Sequence, residues 1–167
     1  MEVSALVPVE EYLTTDYSPD CDYVDGEVLD RNVGEKDHSK IQKKLLFDLG
    51  GLEKQLGIFV IQEQRVQVSP RRFRVPDICV ISGPEPSEQI FTTPPFLCVE
   101  ILSPEDRMSR MQAKIRDYLE FGVRYIWVID PQGRRAYIFH GSEMIEPADG
   151  VLRTAEPEIA IALADLF

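Results

Sequence analysis

The sequence predicts an α/β fold in which helices pack on the faces of a central mixed β-sheet. Residues 21–32 place Asp-Gly between two short strand-like segments, which indicates an antiparallel hairpin. Farther along, an apolar strand at residues 96–103 is followed by an amphipathic helix at 105–122 and another apolar strand at 124–130. This order predicts a right-handed crossover between parallel strands, so the sheet is expected to contain both kinds of pairing.

Length and charge predict a single domain with acidic ends. The chain has 167 residues and a net charge of −11, and one continuous core is expected at this size. We divide it into an N-terminal helix and hairpin (1–31), a core (32–140) and C-terminal strands (141–167). Residues 1–30 contain nine acidic residues and no Lys or Arg, whereas residues 31–140 contain 17 basic and 14 acidic residues. The overall charge disfavours a general nucleic-acid coat protein.

The first third of the chain predicts two helices around the hairpin. A short helix is expected over residues 7–13, and Asp25-Gly26 supplies the positive φ angles of a two-residue turn. Residues 38–56 carry Ile and Leu at steps of three and four, which predicts an amphipathic helix that Gly50-Gly51 weakens.

The middle of the chain predicts three strands. β-Branched residues predict one strand over residues 58–69, and a turn at Pro70 leads into a second strand at 74–81. A proline-rich loop at residues 83–95 precedes the strand at 96–103. The continuous apolar character of that third strand favours a central position, covered on both faces.

The end of the chain predicts short strands joined in hairpins. Residues 134–141 and two shorter strands are expected to pair in this way, and residues 161–167 are expected to close the chain as a strand or a helical turn. This last segment is too short to cross a membrane. The three cysteines lack CxxC spacing, so neither a zinc site nor a disulfide framework is expected; they are Cys21, Cys79 and Cys98.

Two carboxylates, Asp77 and Glu100, interrupt apolar strands. Each needs a basic partner, a proton or a metal ion, because burying an uncompensated charge is costly. The strand at Asp77 is expected to begin or kink there, since Pro76 cannot donate a ladder hydrogen bond. Neighbouring strands lie about 5 Å apart, so two carboxylates on one face could share a hard divalent cation. A cation at the strand ends would offset the desolvation of both groups.

The helix after Glu100 carries a basic ridge beside its apolar stripe. At 100° per residue, Lys114 lies about 40° from Tyr118. Arg107 and Arg110 lie about 20° and 40° from Lys114 by the same arithmetic. Lys114 is therefore expected to point back over the end of the Glu100 strand.

Simpler interpretations exist for both carboxylates and for the ridge. Asp77 after a proline could form an Asx-type turn at the start of a strand. Glu100 could form a salt bridge with Arg74, Arg107 or Lys114 and need no metal. The ridge itself could be an ordinary solvated face of the helix.

Other polar residues have equally open interpretations. Glu27, just after the hairpin turn, could be a further acidic site residue or an exposed hairpin residue. His38 could assist the site, although a histidine at a helix start is most often solvated or a cap. Three glutamines could contact bases or simply line an exposed strand face; they are Gln62, Gln64 and Gln67.

The run "PPFLCVEILSPEDRMSRMQAKIRDYLEFGVRYIWVIDP" resembles the Uma-type putative restriction endonuclease family of the PD-(D/E)XK superfamily. The shared elements are the Glu100–Pro104 stretch, Lys114 with Tyr118, Gly122-Val123 and the Trp127–Pro131 strand. The hairpin and the helix at His38 also resemble the opening of that family, so the resemblance covers roughly residues 8–140.

The resemblance implies a restriction-endonuclease-like α/β/α fold and a metal-dependent endonuclease that hydrolyses DNA phosphodiester bonds. Asp77 and Glu100 would bind Mg²⁺ or Mn²⁺ with the backbone carbonyl of Ile101, and Glu27 would be an outer acidic member. The superfamily's lysine usually stands two positions after the glutamate, where this chain has Leu102. Lys114 would then act as a migrated catalytic lysine.

The resemblance and the basic ridge also lead to expectations about partners. Arg107 and Arg110 are candidate contacts for DNA phosphates, His38 is an auxiliary candidate, and a homodimer would let two basic middle segments surround DNA. One alternative is a catalytically inactive scaffold that binds nucleic acid or protein, and another is a hydrolase acting on nucleotides or RNA. No secretory signal or membrane segment is evident, so a cytoplasmic location is expected.

Overall fold

The computed structural model describes residues 5–167, and it confirms the predicted mixed α/β architecture. The helices are α1 (Val9–Leu13), α2 (Lys36–Gly50), α3 (Glu53–Leu56) and α4 (Met108–Phe121), with a final 3-10 turn at Leu163–Asp165. The strands are β1 (Asp22–Val24), β2 (Glu27–Leu29), β3 (Ile58–Gln62), β4 (Val66–Ser69), β5 (Arg72–Arg74), β6 (Ile78–Ser82), β7 (Leu97–Ile101), β8 (Tyr125–Asp130), β9 (Arg135–His140), β10 (Glu143–Ile145), β11 (Val151–Thr154) and β12 (Ile159–Ala162). No helix within the described range is long and apolar enough to span a membrane.

The main sheet is mixed and has six strands in the order β10-β9-β8-β7-β6-β3. β7 and β8 pair in parallel through the predicted α4 crossover, and the other neighbours in this sheet are antiparallel. A second, antiparallel sheet has the order β2-β1-β5-β4, and β11 pairs with β12 in a separate hairpin. The predicted hairpin at Asp25-Gly26 is confirmed, with φ angles of 50° and 102° at these residues.

Three element boundaries differ from the sequence prediction. The single strand expected over residues 58–69 is wrong, because the chain turns at Glu63 (φ 48°) and β3 and β4 join different sheets. The helix expected over residues 38–56 breaks at Gly50-Gly51 into α2 and α3, since glycine disfavours the helical backbone. The strand expected over residues 74–81 begins only at Ile78, directly after Asp77, because Pro76 has no amide to donate to the ladder.

The main sheet is covered on both faces. One face packs Ile41, Leu45 and Leu49 of α2 against alternate residues of the central strands. The other face packs α4 and β4 against the remaining residues, which include Cys79 and Cys98. These two cysteines are thus core residues, and all three cysteines are buried and unpaired.

Strand register brings the two predicted carboxylates together. β6 and β7 are antiparallel with Ile78 opposite Val99, so Asp77 stands opposite Glu100 at one end of the pair. Glu100 shares its face of β7 with Cys98, because side chains alternate along a strand. It therefore faces α4.

Two glycine substitutions test the helix ends. Gly122 follows α4 at φ 110°, and an added Cβ would lie 3.2 Å from Cγ of Pro94. Gly122→Ala should therefore lower the free energy of unfolding by about 1–2 kcal/mol. Gly50→Ala meets no atom within 4 Å and should raise it by about 0.5–1 kcal/mol. Urea denaturation measures both changes, and equal effects would contradict this assignment of the helix ends.

Candidate active site

Asp77 is held by contacts from three different parts of the chain. Its Oδ2 accepts a hydrogen bond from the amide of Ile101 at 2.7 Å, and its Oδ1 accepts one from Nη2 of Arg31 at 2.8 Å. Nε2 of His38 lies 3.2 Å from the same Oδ1 but is not aligned for a hydrogen bond. The contact with His38 is thus an ion pair when the imidazole is protonated. Asp77 bridges elements here rather than forming a local Asx turn.

Glu100 receives both of its hydrogen bonds from α4. Nζ of Lys114 donates to Oε2 at 2.9 Å, and the hydroxyl of Tyr118 donates to Oε1 at 2.6 Å. The two residues are four apart, and this spacing places them on the same side of a helix. The structure thus explains why lysine and tyrosine occur at this spacing: together they satisfy one buried carboxylate.

A second set of ion pairs joins α4 to the small sheet. Arg74 of β5 binds Asp117 of α4 through Nη2 at 2.6 Å and Asp22 of β1 through Nη1 at 3.2 Å. The other oxygen of Asp22 accepts the amide of Val75 at 2.8 Å. Oδ2 of Asp22 also lies 3.5 Å from Nζ of Lys114. The Asp22 carboxylate therefore belongs to the same cluster as Glu100.

The structure brings together most of the predicted site residues but not all of them. Asp77, Glu100, Lys114 and His38 are buried and in contact with one another in pairs. Glu27 is exposed on β2 and does not line the cavity beside Glu100. The acidic residue that the hairpin contributes to the cluster is Asp22 instead. The sequence could not choose between the two acidic residues, since the turn marks both strands of the hairpin equally.

The two predicted phosphate contacts differ in position. Arg110 is exposed, lines the cavity and donates from Nη2 to the carbonyl of Asp30 at 2.8 Å. Arg107 is exposed at the N-terminal end of α4 and does not line the cavity. Among the partners considered for Glu100, the structure selects Lys114, whereas Arg74 pairs with other acids.

Sequence analysis missed Arg31 as a site residue. Its side chain is buried and lines a small cavity of about 40 Å³ beside Asp77, Glu100 and Lys114. Within the described chain, Nη1 of Arg31 has no hydrogen-bond partner. The one feature of the sequence that could have indicated Arg31 is its position: it is the first Lys or Arg of the chain and directly follows 30 residues that contain nine acidic residues.

The charges around Asp77 favour its ionised form. Burial alone would raise the pKa of Asp77, but His38, Arg31 and Lys114 outweigh it and hold the pKa below its usual value. Burial would likewise lower the pKa of His38, yet its contact with Asp77 raises that pKa above the usual value. Asp77 and His38 therefore stabilise each other as a charged pair.

Glu100 is in the opposite situation. Burial raises its pKa to about 7, and the charges of Asp77 and Asp22 add to this effect while Lys114 opposes it. Burial alone would lower the pKa of Lys114, but Asp22 and Glu100 hold it above the usual value. Near neutral pH the glutamate can thus be found with or without its proton, next to a charged lysine.

The carboxylate oxygens of Asp77 and Glu100 are the type of ligand that a hard divalent ion prefers. Within residues 5–167, no group of three or more His, Cys, Asp or Glu side chains forms a metal cluster. Mg²⁺, however, is usually bound by one or two carboxylates, with waters and phosphate oxygens completing the shell. Asp77 and Glu100 line the cavity of about 40 Å³, which has room for about one ion or water. Each Glu100 oxygen accepts one hydrogen bond here and has a second lone pair.

Comparisons with known proteins agree with this architecture. A family model described as "Putative restriction endonuclease", Uma2, matches residues 9–163. The fold is similar to a crystal structure described as a putative nuclease belonging to DUF820 from Anabaena variabilis ATCC 29413. The TM-score is 0.83 at 22% sequence identity, and the match covers 96% of this chain and 97% of that chain. A search of curated proteins found no match.

The raised pKa of Glu100 predicts a specific pH dependence of stability. An unfolded glutamate titrates near 4.5 and the folded one near 7, so the folded state binds more protons between these values. The stabilisation is complete below about pH 4.5 and is lost as the pH rises through 7. Relative to Glu100→Gln, the wild type should lose on the order of 3 kcal/mol of unfolding free energy over this range.

Urea denaturation in EDTA, at several pH values, measures this difference. The control is Glu146→Gln, because the hydrogen bond from exposed Arg135 lowers the pKa of Glu146. Its effect should have the opposite sign, since that stabilisation is lost as the pH falls. A pH-independent difference between wild type and Glu100→Gln would contradict the assignment.

Proposed function

This chain belongs to the Uma2 family of putative restriction endonucleases, and we propose that it is a metal-dependent nuclease that hydrolyses DNA phosphodiester bonds. The observation that carries the proposal is the contact of Lys114 with Glu100 at 2.9 Å, with Asp77 directly before the neighbouring strand β6. A lysine on the helix thus contacts one of the two carboxylates. The site would then be of the PD-(D/E)XK type with a migrated lysine.

Asp77 and Glu100 would hold Mg²⁺ or Mn²⁺, with the backbone carbonyl of Ile101 as a further ligand. Such an ion lowers the pKa of a bound water and neutralises charge that develops on the phosphate. Two hydrogen bonds already position the carboxylates: the Ile101 amide orients Asp77, and Tyr118 orients Glu100. Carboxylates fixed in this way need little reorganisation when a cation binds.

Basic side chains at the cavity would bind the phosphate. Nζ of Lys114 and the unpaired Nη1 of Arg31 both lie at the small cavity, and each can donate to a phosphate oxygen. A positive charge fixed at the reaction centre stabilises an oxyanion more effectively than solvent does. Arg110, at the mouth of the same cavity, would contact a neighbouring phosphate. His38 would support Asp77 rather than touch the substrate.

A catalytically inactive binding scaffold is the second candidate. It is favoured by the complete pairing of both carboxylates with basic groups and by the net charge of −11. Strong phosphate binding normally requires several basic contacts. A homodimer, which stays a prediction, would double the number of basic residues near the DNA.

Cleavage assays on plasmid DNA, with RNA as a second substrate, test the nuclease proposal. Wild type should cut in Mg²⁺ or Mn²⁺ and not in EDTA. Glu100→Gln should abolish cleavage, and Lys114→Ala should slow it by about 10²–10³-fold, as for the loss of one fixed positive donor. The matched control is Arg116→Ala, an exposed position of the same helix, which should leave the rate unchanged.

Titration calorimetry with Mn²⁺ separates the nuclease from the scaffold without requiring the correct DNA substrate. The nuclease proposal requires binding by the wild type and its loss in Asp77→Asn and Glu100→Gln, with folding retained by circular dichroism. A wild type that binds DNA but neither Mn²⁺ nor Mg²⁺, with and without DNA present, would establish the scaffold instead.

A further inference from the structure

The outward side of α2 carries a row of lysines with a phenylalanine in line with them. Lys36, Lys40, Lys43 and Phe47 follow one another at steps of four, three and four residues, which places them on one stripe. Lys44 lies beside this stripe. The chain has only six lysines, and four of them occur within these nine residues of α2. We call Lys36, Lys40, Lys43 and Phe47 the α2 stripe.

The lysines of the α2 stripe are exposed and take no part in the ion pairs of the described chain. Lys44 pairs with Asp48 at 2.7 Å, but none of the stripe lysines forms an ion pair with a described residue. By contrast, buried or half-buried cations elsewhere, such as Arg31, Arg65 and Arg74, are paired with acids. In a chain with net charge −11, the stripe is thus a local concentration of positive charge that is available to a polyanion.

Phe47 gives the stripe a second property. Its side chain is 80% exposed, the highest value among the exposed large hydrophobic residues of the described chain. A solvated helix face has no need of an aromatic ring, whereas proteins that bind single strands stack unpaired bases on such rings between basic residues. Phe47 stands at the end of the lysine row, about 16 Å from Lys36 along the helix.

An open groove of about 890 Å³ runs along this helix. Lys40, Lys43 and Lys44 line it, with Asp165 as the one acidic residue in its wall. Gln42 also lines the groove, and its side-chain nitrogen donates to the carbonyl of Asp77 at 3.0 Å. Gln42 thus connects the wall of the groove to the backbone of Asp77, at the strand end that carries the candidate active site.

We propose that the α2 stripe and its groove bind a single-stranded segment of polynucleotide, with phosphates on Lys40 and Lys43 and a base stacked on Phe47. The location beside Asp77 rests on the proposed nuclease function, because it makes the bound segment a flank of the substrate. The binding itself requires neither metal nor catalysis. Double-stranded DNA offers no free base to the ring and binds more weakly.

Fluorescence anisotropy with a labelled 20-nucleotide oligo-dT, in EDTA, tests the proposal on the full chain. The Lys40→Ala/Lys43→Ala variant should weaken binding and reduce the slope of log K against log salt by about 1.4, at roughly 0.7 per lost phosphate contact. Phe47→Ala should weaken binding by about tenfold. The matched controls are Lys54→Ala/Arg116→Ala, which removes two exposed charges elsewhere, and Met144→Ala, which removes another exposed apolar side chain.

Oligo-rU and a duplex of the same length are the further arms. Equal weakening on oligo-dT and oligo-rU with little effect on the duplex supports the single-strand site, and a preference for either oligomer identifies the sugar. The proposal is overturned if wild type does not bind oligo-dT, or if the control double variant weakens binding as much as Lys40→Ala/Lys43→Ala does. It is also overturned if Phe47→Ala leaves oligo-dT binding unchanged and light scattering shows only that a dimer has become a monomer. The assay contains EDTA, so it measures binding without cleavage. Glu100→Gln should therefore bind oligo-dT as wild type does even though it no longer cleaves DNA, which distinguishes failure of this proposal from failure of the nuclease proposal.

Discussion

The Glu100 carboxylate and the two α4 side chains that bind it are the contact on which the rest of the structure depends. β7 is covered on both faces, so an ionised glutamate in it is almost completely removed from bulk water. Lys114 and Tyr118 supply the missing hydrogen bonds from a single helix. They also fix the rotation of α4 against the sheet, because four-residue spacing allows only one orientation in which both reach the same group. The crossover between β7 and β8 is thereby locked in place.

Around this contact the buried charges form a connected network rather than separate pairs. Arg74 joins Asp22 and Asp117, and Lys114 approaches both Asp22 and Glu100. The small sheet, α4 and the main sheet therefore meet through ions rather than through apolar contacts alone. Apolar residues of similar size often stabilise a core at least as well as buried ion pairs do. Stability alone does not account for so many charges in one place, which is consistent with a chemical role for the cluster.

A buried carboxylate can be compensated by a basic partner, a proton or a metal ion, and the structure shows the first two at Asp77 and Glu100. Asp77 is compensated by basic partners and stays ionised. Glu100 has a basic partner as well, but its pKa of about 7 means that a proton also contributes. The third route, a metal ion, would act on the same oxygens. The pKa values of the two carboxylates thus shift in opposite directions. Burial, reinforced by the charges of Asp77 and Asp22, raises the pKa of Glu100, whereas His38 and Arg31 outweigh burial at Asp77.

The sequence by itself determined the fold class, the hairpin and the crossover, because these follow from the pattern and order of the elements along the chain. It also marked Asp77 and Glu100 as carboxylates in apolar segments, but their position opposite each other depends on the register of β6 and β7. It also determined that Lys114 and Tyr118 share one side of α4, since helical spacing fixes that relation. Only the tertiary structure decided that Asp22 rather than Glu27 joins the cluster and that Arg31 reaches Asp77. It also divided residues 58–69 between two sheets. Contacts of this second kind depend on strand register and on how separate elements pack, which the spacing of residues along the chain does not fix.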